Sequence, residues 1–304
     1  MRGEANERMF IRARAYRSAK FWGIFMALQT YKMKVVIIGS GNVATVLGGK
    51  IAAAGHTMLQ VVARNEEAAA RLGRQWGCGF ATDWAFIDPD AEIYIVSLSD
   101  RAISEFGERV RLPGRLVLHT AGAVSGKVLK AVSDRCGVLY PLQSLRREIR
   151  PFPEFPLLID AEDPADMPVI EAFARTLARQ VQRANDELRL KLHVAAVVIN
   201  NFSNYMYTLA ADFCREEGLE FNLLMPLIRE TAGRLEQYAP ADVQTGPAVR
   251  GDAGTIATHL KILSNYKDLN ELYRLFSVQI EAYYEKRRTG GGNGGGISPE
   301  AEKG

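Results

Sequence analysis

Apolar and polar positions change rhythm along the 304-residue chain in a way that divides it. From Lys34 onward, short apolar runs alternate with stretches of helical period. Lys34–Ile38 and Met58–Ala63 are apolar, and Asn42–Ala54 and Glu66–Gln75 read as helices. Glu92–Ser97, Arg115–His119 and Gly137–Tyr140 read as further strands. Phe155–Asp160 and Gln180–Arg183 follow, with a helix over Ala165–Ala178 between them. Strands alternating with helices predict an α/β domain over residues 34–184, a doubly wound, mostly parallel Rossmann sheet covered on both faces. Pro151, Pro153 and Pro156 punctuate the entry to its last unit.

Beyond Ala184 the period is helical only, which predicts an all-helical C-terminal domain over residues 185–288. Asn185 and Asp186 are good caps for a long helix reaching about Cys214, with Gly218 as its stop. Leu188, Leu192, Ala195, Ile199, Phe202, Met206, Leu209 and Phe213 recur every three or four residues, as one buried face would. More helices are expected around Leu223–Tyr238, Gly254–Leu263 and Lys267–Tyr284, and there is no internal repeat.

Composition adds limits. Hydrophobic residues make up 47% of the chain, enough for a globular core, and the formal net charge is +3. Residues 1–33 hold seven basic side chains against Glu4 and Glu7, a charge of +5, so the remainder carries −2. The basic balance thus sits in an N-terminal extension, which reads as disordered or as translation from an upstream start, with Met26 or Met33 as alternative starts; a targeting segment is the lesser alternative. Without a basic patch on the body, nucleic acid is not an expected partner. The apolar stretch Phe21–Leu28 is far shorter than the roughly 20 residues a membrane span needs, so no membrane role is expected. Cys78, Cys136 and Cys214 are scattered and odd in number, which speaks against disulfides or a zinc site and for a reducing cytoplasm. The Gly-rich stretch over 289–304 is expected to be a disordered tail.

The chemistry-bearing signal comes directly after the first strand. Gly39-Ser40-Gly41-Asn42-Val43-Ala44 fits G-x-G-x-x-A at a strand–turn–helix junction. Gly39 permits the tight turn, Gly41 lets backbone approach a pyrophosphate, and Ala44 keeps helix and sheet close. The helix start offers unpaired N–H groups and partial positive charge to phosphates. At the end of the second strand, where an NAD site places an acid for the ribose hydroxyls, stands Arg64. A guanidinium there suits a 2′-phosphate, so NADP(H) is the expected cofactor and a methyl-group or flavin cofactor is disfavoured. Ser97, Leu98 and Ser99, with His119, Thr120, Ala121 and Gly122, follow the next two strands and should border the cofactor. His119 could touch the nicotinamide or substrate, though a histidine so placed more often ties down its own loop; His56 reads as structural.

On the long helix, His193, Asn200 and Asn204 stand at i, i+7 and i+11, within about 20° of one line at 100° per residue, with Asn201 beside them. They could face a substrate cleft, or form a polar seam satisfied in a bundle or dimer interface.

The order of GSGNVA, VVAR, VSLSD, HTAG, YPLQSL, LHVAAVVINN and TGPAVRGD resembles a widespread family with a Rossmann-like domain followed by a helical domain of unknown function. The resemblance spans about residues 34–285. More distantly the chain is similar to pyrroline-5-carboxylate reductase, ketopantoate reductase and deazaflavin-dependent NADP oxidoreductase, whose helical domains are of the 6-phosphogluconate dehydrogenase type. The resemblance implies NAD(P)-dependent oxidoreduction of a small molecule and a homodimer formed through the helical domain. It points to His193 and Asn201 on the long helix and to the turn Pro141, Leu142 and Gln143; with Asn200 from the polar stripe, the catalytic candidates are His193, Asn201, Asn200 and Gln143. Thr245, Gly246, Pro247, Arg250, Gly251 and Asp252 match a family loop, with His259 after it; Asn204, Arg250 and Asp252 are candidate substrate contacts. The lysine that ketopantoate reductase uses on its corresponding helix has no in-phase counterpart, because Lys191 is out of phase with His193. The expected activity is an NADPH-dependent reduction of a small carbonyl or imine compound. The alternative is a non-catalytic module that senses a dinucleotide.

Overall fold

The computed structural model describes residues 32–289, so the N-terminal extension and the Gly-rich tail fall almost entirely outside the described residues. The chain divides into two compact units, one ending at Asn200 and one beginning at Asn201.

The first unit is built on an eight-stranded sheet in the order β3-β2-β1-β4-β5-β6-β7-β8. Its strands are β1 (Lys34–Ile38), β2 (Thr57–Val62), β3 (Gly79–Ala81), β4 (Ile93–Val96), β5 (Leu116–His119), β6 (Cys136–Pro141), β7 (Leu157–Ala161) and β8 (Val181–Arg183). All neighbours pair in parallel except β6 and β7. The sheet's apolar runs are continuous because both faces are buried. Val35 and Ile37 pack one way, against Leu47 and Ile51 of α1 (Asn42–Ala53) and Phe173 of the helix Met167–Leu177. Val36 and Ile38 pack the other way, with Ile103 and Phe106 of the helix Asp100–Arg109. These two helices are α4 and α3; α2 spans Glu66–Trp76. The strand order reverses between β1 and β4, and at such a switch point a crevice opens at the carboxyl ends of the strands.

In the first unit the expected strands and helices all form, within one or two residues. The sequence reading omitted β3 and α3.

After β8 the chain enters the long helix, which is not uniform. It runs as α5 (Asp186–Ala196), then a π turn over Val197–Phe202, then α6 (Ser203–Glu216). A π turn winds more residues per turn than an α-helix, so 100° per residue does not hold across it. The single line drawn through His193, Asn200 and Asn204 is therefore corrected. The expectation of one buried face along this helix is corrected too: Leu188 is exposed, and Ile199 and Phe202 are 74% and 58% exposed.

The second unit continues with α7 (Met225–Gly233), a short α8 (Pro247–Arg250), α9 (Ala253–Ile262) and α10 (Lys267–Thr289). Among its described residues only Cys214, Ala248 and Leu263 are buried hydrophobics.

Candidate active site

The turn between β1 and α1 is set by contacts that only glycine permits. Gly39 has φ of 124°, and its N–H donates to the Val62 carbonyl at 2.8 Å. A Cβ at Gly39 would stand 2.2 Å from the Ser97 carbonyl oxygen. Gly41 is the opposite case, since a Cβ there would meet nothing within 4 Å. The open space lies at the start of α1, where Gly41 caps the helix with no side chain accepting its N–H groups and no acid follows in the first turn. Those donors are free for an anion.

The crevice beside this turn is a cleft of about 570 Å³, walled by Gly39, Ser40 and Gly41, by Ala63, Arg64 and Asn65, and by Ser97, Leu98 and Ser99. The expected residues after β1, β2 and β4 thus meet in one place. Asn42, Val43 and Ala44 form the first turn of α1, with Ala44 buried against the sheet. Thr82, Asp83 and Trp84 complete the far wall with Ala102, Glu105 and Arg109 of α3. Sequence reasoning missed these six, though Ser99-Asp100 before Ile103 and Phe106 carried a helix-start signal for α3.

Arg64 is exposed, and among the described residues it makes no ion pair or hydrogen bond. Arg109, by contrast, is held by Glu105 at 3.2 Å. Asp83 caps its own turn by accepting from the Ala85 N–H, and Asn65 caps α2 by accepting from the Ala68 N–H. The cleft therefore offers a glycine cradle with bare helix donors at one end and an unpaired guanidinium at another. This donor set fits a dinucleotide with a 2′-phosphate.

The loop after β5 follows a different logic. His119 is fully buried, and its Nδ1 accepts the Ala121 N–H at 3.2 Å. Burial, reinforced by the positive charge of Arg189, pushes its pKa down to about 4. It is a neutral ring that braces its own loop. Thr120 Oγ1 reaches Ser97 Oγ at 3.4 Å, joining the ends of β5 and β4. Gly122 is capped by two rings: a Cβ there would come within 2.8 Å of His193 Nδ1 and 2.9 Å of Tyr140 Cζ. These rings meet each other, with Tyr140 Oη 3.0 Å from His193 Nδ1. Tyr140 entered the sequence reading only as part of a strand and of the YPLQSL motif, with no role of its own.

His193 is brought to this loop by the first turns of α5. Asn185 caps the helix on the Leu188 N–H. Asp186 accepts from the Ser125 hydroxyl, from the Gly126 N–H at 3.3 Å and from Arg189 at 2.6 Å. Burial pushes the Asp186 pKa up, but the hydrogen bonds from Ser125, Arg189 and Gly126 together hold it below the usual carboxylate range. Arg189, only 1% exposed, also donates to the Val124 carbonyl. The Asp186–Arg189 pair thus ties the start of α5 to the loop after β5.

Other candidates have local employment. The Gln143 side chain is exposed and accepts from the Ser144 N–H. Asn200 and Asn201 are exposed within the π turn, and Asn204 is exposed on α6. In the second unit Asp252 caps α9, accepting from the Thr255 N–H and hydroxyl. Arg250 ends α8, and His259 Nδ1 lies 2.7 Å from Tyr273 Oη. His56 is structural, as expected: it accepts from the Met33 N–H and meets Thr176 Oγ1 at 2.8 Å.

Fold and cleft together define a Rossmann oxidoreductase with an appended helical region. Residues 34–121 match the family model "NADP oxidoreductase coenzyme F420-dependent", and residues 155–280 match a domain of unknown function, DUF2520. A solved Bacteroides fragilis protein described as a "putative NADP oxidoreductase" is 36% identical, with 84% of this chain and 99% of that one covered and a TM-score of 0.76. The chain belongs to this family of NADP oxidoreductases, and the family's cofactor is NADP(H). Two more remote structures share the fold. A pyrroline-5-carboxylate reductase from Coxiella burnetii is 14% identical, with 84% and 98% coverage and a TM-score of 0.52. A reductive aminase from Aspergillus terreus, solved with NADPH and ethyl-5-oxohexanoate, is 19% identical, with 86% and 95% coverage and a TM-score of 0.54. No curated protein matches the sequence. Among the described residues, no helix is long and apolar enough to cross a membrane, and no side-chain cluster could hold a metal ion.

Proposed function

We propose that this protein is an NADPH-dependent reductase of small carbonyl or imine compounds. The observation that carries the reading is the placement of His193, a titratable side chain, on the Gly122 loop at the carboxyl end of β5, in the same unit as the glycine turn and Arg64. Bound NADPH supplies a hydride to an electrophilic carbon. The protein's own groups then have three tasks. The α1 N-terminus and the backbone at Gly41 would hold the pyrophosphate, and Arg64 would take the 2′-phosphate. His193 would provide a proton donor, its ring N–H, for the oxygen or nitrogen of the acceptor. Gln143 and Asn200 are candidates for orienting the acceptor. Asp252 is better accounted for as a helix cap.

We also place the working form as a homodimer joined through its helical region, where large apolar side chains stand exposed, and in the cytoplasm, where the free thiols Cys78, Cys136 and Cys214 stay reduced. The named relatives, a pyrroline-5-carboxylate reductase and a reductive aminase, support an imine or carbonyl acceptor. The test is NADPH consumption by the purified protein with cyclic imines and small keto compounds. Turnover that falls roughly 10²–10⁴-fold in His193→Ala, with cofactor affinity unaltered, supports the reading. NADPH binding with no turnover across both classes favours the sensing alternative.

A further inference from the structure

His193 carries two ring nitrogens, and only one of them is free to meet an acceptor. Nδ1 faces the Tyr140 hydroxyl at 3.0 Å, with the rings edge to face at 73° and centroids 6.0 Å apart. Both rings rest on Gly122, where the methyl of an alanine would collide with each. The ring is thus fixed from two directions, by the floor at Gly122 and by the hydroxyl at Nδ1.

The direction of this hydrogen bond follows from what surrounds Tyr140. Its hydroxyl has no other protein partner among the described residues. If His193 donated to it, the phenolic proton of a half-buried group would have no protein acceptor, which is the costly arrangement. If the hydroxyl donates to Nδ1, both groups are satisfied. Burial also pushes the Tyr140 pKa up, so the hydroxyl keeps its proton to give.

We infer that Tyr140 is a positioning residue for His193: its hydroxyl donates to Nδ1, and so makes Nε2 the protonated nitrogen of the neutral ring and the atom that hands a proton to the acceptor. A neutral imidazole N–H can polarise a carbonyl when its tautomer and direction are fixed. Reduction of a carbonyl acceptor would move its π pair to oxygen. The Nε2–H bond then breaks and an O–H bond forms. The ring is left as imidazolate-like, hydrogen-bonded at Nδ1 by Tyr140, and regains its proton at Nε2 from water. With an imine the same transfer ends on nitrogen. This inference rests on the proposed role of His193 as donor, but its first test does not need turnover.

That test is nitrogen NMR of the full chain labelled with ¹⁵N-histidine, above the pH range in which histidines protonate. With Tyr140 in place, the His193 signals should be those of a bare, hydrogen-bonded Nδ1 and a protonated Nε2. In Tyr140→Phe, which keeps the ring and removes only the hydroxyl, the Nδ1 signal should lose its hydrogen-bond shift and average toward the other tautomer. Gly122→Ala, which displaces both rings, should give the same loss by another route. A protonated Nδ1 in the unaltered protein, or an identical His193 spectrum in a folded Tyr140→Phe, would overturn the inference. Once an acceptor is in hand, Tyr140→Phe should lower kcat by up to about tenfold with NADPH affinity unchanged. If the NMR result holds but His193→Ala turns over normally, it is the donor role that fails, not the Tyr140 contact.

Discussion

Gly39 and Ser97 approach so closely that a methyl group on the glycine would lie 2.2 Å from the serine carbonyl oxygen. The contact joins the end of β1 to the end of β4, across the switch point where the cofactor cleft opens. Gly39 also holds a φ of 124°, which side chains rarely adopt. Gly39→Ala should therefore damage the fold itself, with strain of about 1–3 kcal/mol from the backbone alone before the clash is counted. Gly41→Ala should behave differently, because nothing within 4 Å opposes its methyl. It should melt like the unaltered protein yet bind NADPH poorly, since the methyl occupies the cradle. Thermal melts and NADPH fluorescence titration separate the two; normal NADPH binding by Gly41→Ala would remove the cradle from the site.

Arg64 governs a second prediction. It is unpaired at the rim of the cleft, whereas Arg109 already holds Glu105. Arg64→Asp should weaken NADPH binding by about 1.5–3 kcal/mol, the range of a lost charge-assisted hydrogen bond, and leave NADH far less affected. Equal affinity of the unaltered protein for both cofactors, measured by titration, would mean that Arg64 does not read the 2′-phosphate.

Much of the first unit was legible because β1, β2 and β4 to β7 each hold enough apolar residues to mark themselves, and because Gly39, Gly41 and Arg64 have meanings fixed by local geometry. The rest depended on partners distant in sequence. β3 has three residues, too few for a period, so its corner at Thr82–Trp84 stayed invisible. The Tyr140–His193 contact joins positions 53 apart and leaves no local trace. The π turn at Val197–Phe202 defeats any argument that assumes a constant angle per residue. Apolar spacing along the long helix marked surface that needs covering, but spacing cannot tell a core from an interface.

His119 supplies a pH prediction. Its folded pKa lies at about 4, below the ordinary value of 6.5, because the neutral ring is buried. In the window between those values the unfolded chain binds the proton and the folded chain does not. Stability from this group is thus complete above about pH 6.5 and declines as pH falls toward 4, by up to about 3 kcal/mol. His119→Asn, which keeps an acceptor for the Ala121 N–H, should lose this component. Denaturant unfolding of both proteins from pH 7 to pH 4 measures it: the gap in slope between them is the expected result, and parallel curves would show that His119 does not titrate in this window.

The last prediction concerns assembly. In the helical unit only Cys214, Ala248 and Leu263 are buried hydrophobics among the described residues, while Leu223 is 74% exposed and Leu227, Tyr238, Leu275, Phe276 and Val278 are exposed as well. A helical unit of about 90 described residues with so small a core has little apolar burial to set against the entropy of ordering it. Exposed apolar surface on this scale marks an association face. A second copy of the chain is the simplest occupant, since a two-fold interface pairs the same patch with itself. Sedimentation at micromolar concentration should therefore give twice the chain mass of 33.6 kDa. Charges introduced together at Leu227 and Val278 should shift the protein toward monomer and lower its melting temperature in a concentration-dependent way. A protein that sediments as a monomer and melts at the same temperature at every concentration would show that the helical unit is stable without a partner copy.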